Sequence, residues 1–177
     1  MINILFRAII LIALLPVGIL ASAAETQSYK ITFMDSDVTI GFDKIKTQDG
    51  EAIIANITPM TGNVGNKIFV DRYESEGSAS PDIKSIFVNG HAPKKLFVIV
   101  DWAADDASLN TGGTIYQVYV YDEKIENKEN HLQLVPDADL MKRFGLGFDG
   151  TREGKNVSYK FKTAPAIKRQ LIDWGYK

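Results

Sequence analysis

Leu96-Phe97-Val98-Ile99-Val100-Asp101-Trp102 is the stretch that decides how this chain folds. A strand with one face in water alternates apolar and polar residues, whereas five consecutive apolar side chains need cover on both faces. The run therefore predicts a strand at the centre of a sheet, covered on one face by other strands or by a helix. Downstream, a longer connection over residues 103–113 leads to Thr114–Asp122, which does alternate. There Tyr116, Val118 and Val120 share one face, and Ile115, Gln117, Tyr119 and Tyr121 share the other. Upstream lies a further strand, Ile83–Val88, reversed at Asn89-Gly90.

Farther out the same signals repeat. Tyr29–Phe33 turns at Asp35-Ser36 into Val38–Phe42, and Asp49-Gly50, a pair suited to the positive φ of a tight hairpin, leads into Ala52–Thr58. Thr61–Asn66 links to Lys67–Tyr73, and the polar stretch Glu74–Pro81 reads as a loop. After the charged residues 123–130 comes a short strand, His131–Val135. Pro136 opens a helix running to about Phe144, which Gly145 ends. Gly145, Gly147, Gly150 and Gly154 make the following segment loop-like, and Val157–Phe161 reads as a strand. In the last helix Thr163 is the N-cap, Pro165 lies in the first turn, Gly175 is the stop, and Ile167, Leu171 and Trp174 form one apolar stripe. These elements predict a β-rich α+β domain over residues 25–177: an antiparallel meander of about eight or nine strands, as a sandwich or a strongly bent sheet, with two short C-terminal helices.

Residues 1–24 have a different character. Arg7 precedes an apolar run from Ala8 to Leu15, Pro16 and Gly18 break it, and Ala21-Ser22-Ala23-Ala24 supplies small residues for a peptidase, the order of a cleaved secretory signal. Its compactness and single arginine are bacterial in character and point to the periplasm or the medium. Of the 177 residues, with 20 basic and 22 acidic groups, loss of the first 24, Arg7 among them, leaves 153 residues with 19 basic and 22 acidic groups and a net charge of −3. Such a chain lacks the basic footprint of a nucleic-acid binder, and after cleavage no run approaches the length that a membrane-spanning helix needs. The absence of cysteine excludes disulfides, thiolate metal sites and cysteine nucleophiles.

Chemistry is sparse. His91 and His131 lack the one-turn spacing of zinc ligands, and Gly77-Ser78-Ala79-Ser80 lacks the second glycine of a nucleophile elbow. Asp101, Asp105 and Asp106 cluster after the central strand beside Trp102, and the connection continues through Asn110. These carboxylates are weak calcium candidates, since the calcium-loop pattern fails here and at Asp35-Ser36-Asp37. No cofactor is expected. With Tyr119 and Tyr121, whose stiff aromatic area suits protein recognition if it is not core, they make up the candidate binding set Asp101, Trp102, Asp105, Asp106, Asn110, Tyr119 and Tyr121. The resulting expectation is an exported, non-enzymatic domain that binds another protein, as an inhibitor or immunity protein blocking a toxin or envelope hydrolase. Two alternatives stand beside it: a small-ligand or calcium-binding module, and a carboxylate-dependent hydrolase.

Overall fold

A computed structural model describes residues 26–33, 36–59, 67–90, 94–126 and 131–176. The signal-like segment 1–24, the links 61–66 and 127–130, all of His91 and the side chain of His131 lie outside the described residues. Ten strands form two antiparallel sheets. The first has the order β1 (Thr26–Phe33), β2 (Ser36–Thr47), β3 (Gly50–Pro59), β4 (Ile68–Tyr73). The second contains β5 (Pro81–Asn89), β6 (Lys95–Asp106), β7 (Thr111–Glu126), β8 (His131–Pro136), β9 (Leu146–Arg152) and β10 (Lys155–Val157) in the order β10-β9-β7-β6-β5. One edge of the 16-residue β7 is shared: β9 takes Gly112–Gln117 and β8 takes Tyr121–Glu126. Two helices, α1 (Ala138–Phe144) and α2 (Ala164–Asp173), complete a β-rich α+β fold.

The uninterrupted apolar run of β6 explains the layering. Leu96, Val98, Val100 and Trp102 pack into a core with Phe33, Ile40, Phe42, Ile57 and Tyr73 of the first sheet. Phe97 and Ile99, pointing the other way, pack with Leu140 and Phe144 of α1 and Ile167 and Leu171 of α2. The strand is thus covered on both faces, by strands on one and by helices on the other, and the architecture has three layers. β7 alternates as its sequence predicts, with Tyr116, Val118 and Val120 under the helices. Both helix starts are capped by side chains: Asp137 Oδ1 accepts from the Leu140 N–H at 2.9 Å, and Thr163 Oγ1 from that of Ala166 at 3.4 Å.

Two segments depart from expectation, and one contact explains both. The glycine-rich stretch after α1 is the strand β9, not a loop. A Cβ on Gly147 would lie 1.8 Å from the Tyr159 ring, and one on Gly150 would lie 2.4 Å from the Gly112 carbonyl oxygen. Those glycines admit close neighbours rather than turns. Conversely, Ser158–Phe161 is not a strand, because the Tyr159 N–H donates to Asp149 Oδ1 at 3.2 Å instead of to a ladder. Its ring lies across Gly147 and its hydroxyl donates to the carbonyls of Phe144 and Gly145 at 3.1 and 2.8 Å, which ties down the end of α1.

Candidate functional site at the β6–β7 arm

The expected long connection over residues 103–113 is mostly strand. β6 and β7 stay paired out to Asp106 and Thr111, leaving only a four-residue tip. Ala107–Leu109 form a single 3-10 turn, capped by Asp106, whose Oδ1 accepts from the Ser108 and Leu109 N–H groups at 3.0 and 3.2 Å and from the Ser108 hydroxyl at 2.6 Å. Those donors hold the Asp106 carboxyl below its ordinary pKa, the Ser108 hydroxyl foremost. Asn110 closes the turn in the left-handed region at φ 47°, a conformation that its short polar side chain tolerates.

A second hairpin braces the first. At the β9–β10 tip the Glu153 N–H donates to Thr111 Oγ1 and the Gly154 N–H to the Asn110 carbonyl, each at 3.0 Å. Glu153 is left-handed too, at φ 52°, and with Asn110 it is one of the two non-glycine residues with positive φ among those described. Both backbone exceptions meet where the hairpins clamp each other, the kind of place at which strain persists because the surroundings over-determine it. Leu109 stands at the apex, 58% exposed. Exposed Asp105 and Asp106 precede it on β6, and the bracing hairpin carries exposed Arg152, Glu153 and Lys155, so the two hairpin ends together carry mixed charge rather than acid alone.

Of the seven residues singled out from sequence, Asp105, Asp106 and Asn110 come together on this arm. Asp101 sits lower on β6, opposite Asp82 and 3.7 Å from Lys84, where burial pushes its carboxyl pKa up. Trp102 is interior, and its indole N–H donates to the Glu74 carbonyl at 2.9 Å. Of the two tyrosines, Tyr121 is interior as well and Tyr119 is half-buried against the same core. Tyr119 packs on the Tyr73 ring at 4.7 Å, and Tyr121, 0% exposed, bonds the Tyr73 hydroxyl at 2.9 Å and donates to Asp71 Oδ2 at 2.6 Å. Burial drives the Tyr121 phenol pKa up strongly and that of Tyr119 up to about 12. Adjacent strand residues point to opposite faces, so Asp105 and Asp106 diverge, and among the described residues no three His, Asp or Glu side chains gather as a metal site. Sequence reasoning missed Leu109, Thr111, Glu153 and Gly154. The first had a signal, an isolated leucine between Ser108 and Asn110, but the bracing of one hairpin by another forty residues away had none.

No family model matches the chain, and no curated protein or solved structure matches it significantly. The arm itself therefore carries the functional reading, because an activity belongs to a site and not to a fold. Among the described residues no helix is long and apolar enough to cross a membrane.

Proposed function

We propose that this is an exported, bacterial periplasmic protein-binding domain without catalysis of its own, an inhibitor or immunity protein that blocks a toxin or envelope hydrolase. The observation that carries it is the braced β6–β7 arm, an exposed leucine on a tip whose backbone is fixed by its own hydrogen bonds. A loop already held in one conformation loses little entropy on binding, and an exposed apolar anchor between polar neighbours, here Ser108 and Asn110, suits an interface centre. Charges on both hairpins would set register against a cleft. Export rests on the n-, h- and c-region order of residues 1–24.

Two measurements test this. Mass spectrometry of the protein from a bacterial periplasm is expected to find an N-terminus at Ala24 or Glu25; an intact Met1 would remove the export half. For the interface, p-benzoylphenylalanine is placed at position 109 or, as a control, at position 46 on the opposite sheet. Irradiation in cells is expected to give a discrete adduct with one envelope protein from position 109 only. Identical patterns from both positions, or none, would refute the arm as the interface.

A further inference from the structure

The helical layer differs in charge from the rest of the chain. Residues 138–145 and 158–176, which hold the two helices, carry six basic and two acidic residues, whereas residues 26–137 hold ten basic and seventeen acidic ones. Several of these cations lie on aromatic rings instead of beside carboxylates. The Arg143 guanidinium lies 3.9 Å from the centre of the Trp174 ring and 5.9 Å from that of Tyr176. Lys160 bonds Gln170 Oε1 and sits 5.4 Å from the Phe161 ring, and that ring is 6.1 Å from Trp174. Lys160, Trp174 and Arg143 thus follow one another along one side of α2. Among the described residues neither cation has a carboxylate within ion-pairing distance.

We infer that this strip is a second interaction surface, distinct from the β6–β7 arm, and that it takes an acidic protein surface. Charge selects an anionic partner. A guanidinium held over an indole retains N–H donors that a carboxylate can take bidentately, and arginine, tryptophan and tyrosine are the residues that dominate protein interfaces. A lipid surface fits less well. Membrane-surface helices bury a broad apolar face, but Ile167 and Leu171 of α2 are turned into the core, and Ile172 alone is fully presented, at 72% exposure.

The test uses the purified protein with fluorescent poly-L-glutamate, phosphatidylglycerol vesicles and duplex DNA as separate probes at physiological salt. Poly-L-glutamate is expected to bind best, and the double variant Arg143→Glu/Lys160→Glu to weaken it by at least about tenfold. Arg143→Lys, which keeps the charge but loses the planar fork, is expected to lose about threefold. That variant keeps the test decisive if the double variant fails to fold. Lys46→Glu and Leu109→Asp are expected to leave binding unchanged, the latter separating this surface from the arm. Absence of binding, equal loss with Lys46→Glu, or tighter binding to vesicles or DNA would overturn the proposal.

Discussion

Tyr121 shows how a single side chain joins two sheets. Its phenol spans from Tyr73 to Asp71, both on β4, while its backbone belongs to β7 in the other sheet. Tyr121→Phe leaves the half-buried Asp71 carboxylate without this donor and Tyr73 without its partner, a loss of about 1–3 kcal/mol. Tyr73→Phe leaves the Tyr121–Asp71 bond in place and is expected to cost only about 0.5–1.5 kcal/mol. Urea midpoints should fall in that order at constant m-value, and equal losses would remove Asp71 from the relay. Asp101 is expected to behave oppositely. Burial raises its pKa, so ionising it at neutral pH opposes folding, and Asp101→Asn should leave the melting temperature unchanged or raise it. At this scale sequence was a poor guide: alternation placed both tyrosines on one face of β7 but did not say whether that face met water or the other sheet.

Elements were more legible. The central strand, both helices and the cap at Thr163 follow from apolar period and local hydrogen-bonding chemistry, which act within a few residues, whereas Pro136, expected to open the first helix, ends β8 instead and Asp137 is the cap. β9 was not, because Gly147 and Gly150 owe their places to Tyr159 and β7, partners that no local window contains. Gly147→Ala should expel the Tyr159 ring and with it the two bonds that hold the end of α1. The expected result is a loss of about 2–4 kcal/mol in chemical denaturation, with faster amide exchange in α1 than in β2. Leu171→Ala, which opens a void between α2 and the six-stranded sheet, should cost about 2–5 kcal/mol.

For the whole molecule, titration limits stability on both sides. Asp43, held down by the Lys67 ammonium, and Asp137, where bonds from Lys95 and the Leu140 N–H outweigh burial, have carboxyl pKa values below the ordinary 3.8. Groups lowered in the folded state stabilise above the unfolded pKa and lose that contribution as pH falls through the folded value. At the other end burial raises the phenols of Tyr119 and Tyr159 to about 12, and Lys95, despite its burial, is raised above 10.5 by Asp122 and Asp137. Groups raised on folding stabilise below the unfolded pKa and lose that contribution as pH rises through the folded one. Melting temperature should therefore be flat between about pH 4 and 10 and fall outside that range. A decline already under way at pH 6 would show that other groups govern it. By itself the sequence determined the β-rich α+β class, the doubly covered central strand and both helices, since burial period and capping are written in neighbouring residues. Only the tertiary structure decided that the strands divide into two sheets, that Trp102 and Tyr121 lie inside and Tyr119 half-buried against them while Leu109 stands out, and that two hairpins brace one arm. Those outcomes depend on contacts between residues far apart in the chain, and periodicity carries no information about which distant partner closes a given face.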